Sequence, residues 1–128
     1  MRRLAVAYLI LQAAGAFLWW VILLAVPLSR PYFRAADAPD STLLAFGVAD
    51  ALLFIGTSAV AGIGLHLRRR WAWPVLCVYA GAAGYAALYC WTLTALTGDA
   101  ALGAILMTPS LVVPGLLVWQ FRPREVAP

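Results

Sequence analysis

The sequence contains no lysine; all nine of its basic residues are arginine. Charge of either sign is scarce, at 11% of 128 residues, where about 25% is usual in soluble domains. With 65% of the chain drawn from A, V, I, L, M, F, W, Y and C, that scarcity excludes a disordered chain. It also excludes a soluble globule, because a body this small has too much surface for its volume to hide so much apolar area. Histidine occurs once, at His66, so neither a bis-histidine haem nor a zinc site can be built. Cys77 and Cys90 lie in one apolar stretch. A helix there would separate them by about 20 Å, beyond disulfide reach, and the absence of C-x-x-C speaks against thiol redox chemistry. Both read as small apolar packers. No P-loop, G-x-S-x-G, H-E-x-x-H or dinucleotide fingerprint is present. No cofactor and no metal is expected.

The net charge of +4 does not point to nucleic acid. The arginines are scattered between apolar blocks and form no stripe interleaved with exposed aromatics.

What is present is four long apolar stretches, at 4–28, 42–67, 72–97 and 100–121, each of 22–26 residues. A helix needs about 20 residues to cross roughly 30 Å of hydrocarbon, so each can span. Barrel strands are excluded, because the stretches are continuous and longer than the roughly 9–11 alternating residues of such strands. The connections are short: a polar loop at 29–41, a basic turn at 68–71, and Thr97-Gly98-Asp99, where Asp99 is expected to cap the fourth helix. Short links make successive helices antiparallel neighbours. The expected fold is an all-α membrane protein, a single domain over 1–128, with four transmembrane helices in an antiparallel up-down bundle. No internal repeat is visible.

Arginine placement orients this bundle. Arg2, Arg3, Arg68, Arg69, Arg70, Arg122 and Arg124 fall on one side, and Arg30 and Arg34 on the other. The positive-inside rule then puts both termini in the cytoplasm. Trp71, Trp73 and Trp119 mark the inner interface, with Tyr32 and Phe33 anchoring the outer loop. The first apolar run is about twice the 7–15 residues of a signal peptide core, so it is expected to remain as an uncleaved span. The alanine-rich, lysine-free composition reads as that of a GC-rich bacterial genome. The expected location is the bacterial inner (cytoplasmic) membrane, as a multi-pass protein.

Asp50 is the only formal charge inside the four stretches. A carboxylate there costs about 2.5–3.5 kcal/mol on insertion scales and must face the bundle interior or a wet cavity. It is a proton or cation site on one reading and a structural hydrogen-bonding carboxyl on the other. At helical spacing it shares a face with Gly47, Phe54, Thr57, Ser58 and Ala61. Counting about eight residues, or ~12 Å of rise, inward from each outer end brings Trp20, Asp50, Tyr89 and Thr108 to one depth. Tyr85 and Tyr89 share a face of the third helix. Candidate ligand-binding residues are therefore Asp50, Tyr85, Tyr89, Trp20 and Thr108, with the two tyrosines and Thr108 as expected donors to Asp50. Of the adjacent Trp19 and Trp20, one is expected to wall a pocket and the other to face lipid. Gln12 reads as interhelical glue. Pro109 and Pro114, in MTPSLVVPG, kink the fourth helix, and Thr108 and Ser110 stand ready to bond its backbone. Gly47, Ser58 and Gly62, and separately Gly81 and Gly84, are small faces expected to lie against other helices.

In size and span count, and in placing one acidic residue among aromatics, the chain resembles the small multidrug resistance transporters. Their acidic residue lies in the first helix and this one in the second, and none of their motifs is matched, so no residue is carried over. Three functions from different classes follow. The first is binding or transport of a small hydrophobic or cationic ligand around Asp50. The second is a non-catalytic subunit or scaffold packing on a larger membrane partner. The third is a lipid- or isoprenoid-modifying enzyme, which ranks last because no catalytic set is visible. The lipid bilayer is the obligatory partner. Four helices leave little room for a private pore, which points to self-association or a larger partner.

Overall fold

The computed structural model describes residues 1–123. Arg124, counted above with the cytoplasmic arginines, lies outside them. The described chain is helical throughout, with no strand among the described residues. Four helices are long and apolar enough to cross a membrane: α1 (Arg2–Ala25), α2 (Asp40–His66), α3 (Ala72–Thr97) and α4 (Ala101–Gln120). Helix is the outcome the composition demands, because in hydrocarbon every backbone N–H and C=O must be satisfied within its own segment.

Packing divides the molecule into two halves. In the half nearer the arginine-rich ends, Ala5 and Leu9 of α1, Ala61 and Leu65 of α2, Ala72, Leu76, Tyr79 and Ala83 of α3, and Leu117 of α4 form one core. Small residues let the backbones approach. A Cβ on Gly62 would stand 3.1 Å from Ile10 Cδ1 and 3.3 Å from Leu9 Cβ, and one on Gly64 would strike the Trp71 ring at 2.7 Å. Polar groups stitch the same seams. Ser58 Oγ donates to the Leu9 carbonyl at 2.8 Å and Trp73 Nε1 to the Val118 carbonyl at 3.1 Å. Gln12 Nε2 donates to Ser110 Oγ at 3.0 Å, the interhelical role expected of it.

The other half is held by fewer contacts. Trp20, Leu23 and Leu43 form a small second core beside Trp19, Phe33 and Phe46. The expected polar loop holds a 3-10 helix, Pro27–Phe33, and is tied down by its arginines. Arg30 and Arg34 both pair with Asp40 at 2.9 Å. Arg30 Nε also donates to the Leu23 carbonyl, and Arg34 to the carbonyls of Ala35, Ala36 and Ala38.

Three expectations need correction. Asp99 does not cap α4. Its Oδ2 accepts the Ala36 N–H at 2.9 Å, while the N-cap of α4 is Ala100 and no side chain caps the helix. A loop amide with no other partner takes the carboxylate of the neighbouring turn. Gly81 and Gly84 are not a helix-packing face within this chain, because a Cβ on either would meet nothing within 4 Å. Finally, α2 is not one continuous α-helix. It runs as Asp40–Leu44, Gly47–Ala49, a π-helical segment Asp50–Gly56, and Thr57–His66. Pro109 and Pro114 both lie within α4, which continues past them.

Candidate functional site

Between the loosely held halves of the helices lies a cavity of about 680 Å³. All four helices line it: Gln12, Trp19 and Trp20 from α1; Phe46, Asp50 and Phe54 from α2; Gly81, Tyr85 and Tyr89 from α3; Gly103 and Met107 from α4. Phe33, Arg34, Ala35 and Ala38 of the first loop close one end. The walls are overwhelmingly apolar. Asp50 is the one carboxylate on them and Arg34 the one base, and the charge of Arg34 is met by Asp40.

Asp50 is the first residue of the π segment. In such a turn each N–H reaches back five residues rather than four, which inserts one residue into the helical register. Gly56 ends the segment, and the Ala51 carbonyl oxygen stands 3.1 Å from where its Cβ would be. A side chain at 56 would crowd the carbonyl that the wide turn brings in. Thr57 Oγ1 donates to the Leu53 carbonyl, adding a side-chain bond to the same stretch. Beyond the segment the face continues through Ser58, Ala61 and Leu65, all buried. The wide turn thus connects a packed helix end to an Asp50 that faces the cavity.

Among the described residues Asp50 has one hydrogen-bond partner. Trp20 Nε1 donates to Asp50 Oδ2 at 3.1 Å. Trp20 is only 7% exposed, so this bond is shielded from solvent, and Oδ1 is left without a donor.

The five sequence-derived residues divide accordingly. Asp50, Trp20, Tyr85 and Tyr89 line the cavity together, and Thr108 does not. Thr108 Oγ1 turns to its own helix and donates to the Ala104 carbonyl at 3.0 Å. None of the three expected donors bonds Asp50. The Tyr89 ring instead packs on Phe46, with centroids 4.9 Å apart, and Tyr85 is 68% exposed. The depth count had placed Trp20 level with Asp50, and an indole N–H is a donor that needs a partner when buried. That signal was sufficient to name it.

Trp19 does not face lipid. It sits edge-on to Trp20 and to Phe33, at 5.0 and 5.2 Å between centroids, and its Nε1 is buried without a partner. Phe46, the π segment and the roof made by the first loop were not visible in the sequence. His66 is exposed at the far end of α2 and takes no part. Among the described residues no three His, Cys, Asp or Glu side chains gather as metal ligands.

Such an arrangement can hold an apolar body against aromatic rings while one carboxylate oxygen meets a positive charge. No protein-family model matches the chain, and no curated protein and no solved structure shows significant similarity to it.

Proposed function

We propose that this chain is a small integral membrane protein that binds a small hydrophobic or cationic ligand around Asp50, in the service of transport. The observation that carries this reading is the cavity. Its volume lies within the range of roughly 300–1,000 Å³ typical of small-molecule sites, and apolar walls with few polar groups are their usual lining. The buried indole of Trp20 holds one oxygen of Asp50 and fixes the carboxylate's direction. The other oxygen is available to a cation. Trp19, Tyr85, Tyr89 and Phe46 supply ring faces and edges, and a cation over such a face gains about 0.5–2 kcal/mol. Thr108 is left out of the site.

The test is equilibrium binding of a panel of hydrophobic amines and quaternary ammonium ions to the full chain in lipid nanodiscs, read by tryptophan fluorescence. Saturable binding is expected, weakened at least about tenfold, or ~1.4 kcal/mol, by Asp50→Asn. Equal binding by the wild type and Asp50→Asn from pH 5 to 9 would remove the reading.

The same proposal includes an antiparallel bundle with both termini in the cytoplasm of a bacterium. Two contacts support the first part. Leu9 meets Ser58 and Trp20 meets Asp50, so numbers rise along α1 as they fall along α2. The arginine asymmetry supports the second.

A second reading, a non-catalytic subunit or scaffold, is favoured by one observation. A Cβ on Gly84 of α3 would meet nothing within 4 Å, which leaves room there for a partner helix.

A further inference from the structure

The cavity is covered at one end by the first loop and lined along its side by exposed residues. Its roof is the first loop, and that loop is fastened at four places. Arg30 holds the Leu23 carbonyl, Arg30 and Arg34 both hold Asp40, and Asp99 accepts the Ala36 N–H at 2.9 Å. The last bond joins the loop to the turn between α3 and α4. Together these bonds hold the loop over that end of the cavity.

The side wall differs. Leu11 and Gly15 on α1, and Val78, Gly81 and Tyr85 on α3, line the cavity and are also exposed. A Cβ on Gly15 or Gly81 would meet nothing within 4 Å. These positions fall near the middle of Arg2–Ala25 and Ala72–Thr97, so in a spanning bundle they sit at hydrocarbon depth, where the surrounding solvent is acyl chain rather than water.

We propose that the ligand of this cavity is an amphiphile already dissolved in the bilayer, with a cationic head and an apolar tail, and that it slides in sideways at mid-depth while the roof stays closed. The head reaches Asp50 Oδ1, and the tail lies along the glycine-lined opening. This rests on the ligand-site reading above and adds the ligand's source and its path. The geometry suits it: a carboxylate set deep inside, apolar walls between it and the opening, and two positions on the wall without side chains. A ligand arriving from water would pass the charged collar of Arg30, Arg34 and Asp40 instead.

The experiment uses dodecylamine carrying a mid-chain diazirine, preloaded into phosphatidylcholine vesicles that are then fused with vesicles holding the full chain. Photolysis after a fixed short interval gives the labelled residues by mass spectrometry. Three proteins are compared with the wild type. The first carries Ala36→Cys and Asp99→Cys in a Cys77→Ala, Cys90→Ala background and is joined by a short bis-thiol reagent, which locks the roof. The second is Asp99→Ala, which removes the acceptor for the Ala36 N–H and loosens it. The third is Asp50→Asn. Lateral access predicts labelling at Trp20 and Phe54, which line the cavity and are buried from the surrounding lipid, that stays within twofold of wild type in both roof variants and drops at least tenfold in Asp50→Asn. Tenfold slower labelling with the roof locked, or tenfold faster labelling in Asp99→Ala, overturns the lateral path and leaves the site standing. Asp99→Ala needs no cross-link, so the path is judged even if the cross-linked chain does not fold. Labelling in Asp50→Asn equal to wild type overturns the site reading itself.

Discussion

Gly62 and Gly81 are both glycines within long helices, and the structure assigns them opposite responses to the same substitution. At Gly62 a new Cβ would stand 3.1 Å from Ile10 Cδ1 and 3.3 Å from both Ile10 Cγ1 and Leu9 Cβ. Ile10 is partly exposed and can swing away, but Leu9 is fully buried, and its backbone carbonyl is held by Ser58. Leucine at 62 therefore forces α1 and α2 apart. Overpacking of this kind costs about 1–3 kcal/mol, offset by roughly 0.8–1 kcal/mol from removing a helical glycine. The expected net loss is about 0–2 kcal/mol. At Gly81 nothing lies within 4 Å, so only the gain of about 0.8–1 kcal/mol remains. The gain is common to both, so the two leucine variants should differ by the overpacking cost, about 1–3 kcal/mol, with Gly81→Leu the more stable. The assay is reversible denaturation of the bicelle-reconstituted protein in sodium dodecyl sulfate, followed by far-UV circular dichroism. The same Gly81→Leu protein should bind hydrophobic amines more weakly, because its new side chain occupies the cavity wall. A Gly81→Leu variant less stable than wild type by 0.5 kcal/mol or more would show that this space is filled, and the cavity argument would fall with it.

Three further predictions follow from individual contacts. Trp20→Phe removes the single donor to Asp50 and should destabilise the fold by about 0.5–2 kcal/mol, the range for hydrogen bonds between helices in membranes, whereas Asp50→Asn should be nearly neutral because its amide oxygen still accepts the indole N–H; a double-mutant cycle with Asp50→Leu measures the coupling, and a coupling of zero refutes the bond. Ser58→Ala should cost about 1 kcal/mol by deleting the buried bond to the Leu9 carbonyl, measured in the same denaturation assay, and an unchanged midpoint would contradict it. Asp40→Asn leaves Arg30 and Arg34 without their shared carboxylate, so amide hydrogen exchange should quicken over residues 34–39 and stay unchanged over 58–65; uniform exchange in both regions would refute the independent fastening of the loop.

The spans were readable because hydrocarbon leaves the backbone few options. A continuous apolar run of this length must be a helix, and the expected 72–97 coincides with Ala72–Thr97. Contacts between helices were less readable. The depth count reached the right level of α1 but selected phenols over an indole, because depth along an axis carries no information about rotation around it. Rotation around α2 was further hidden by the π segment, whose only local trace is Gly56. The small face of Gly81 and Gly84 was read as packing because small residues permit close approach. The same residues also line open space, and only the position of the neighbouring helices separates the two cases. Asp99 has a local use as a cap and a distant use as an acceptor for Ala36, and the distant one wins because a loop amide there has no other partner.

The π segment also makes α2 a device that measures length. Removing one residue from 51–55 would let the turn close to ordinary α geometry. At about 100° per residue, everything on the loop side of the deletion would then rotate by roughly that angle relative to Ser58 and Ala61. Asp50 would swing out of line with Trp20, while the tightly packed half kept every contact it has. The extra residue acts as a phase shifter between two helical registers: one is tuned to close packing among small side chains, the other to presenting a carboxylate. Substitutions on one side of it can be accommodated without retuning the other, so the cavity half is free to vary in what it holds while the packed half continues to hold the molecule together.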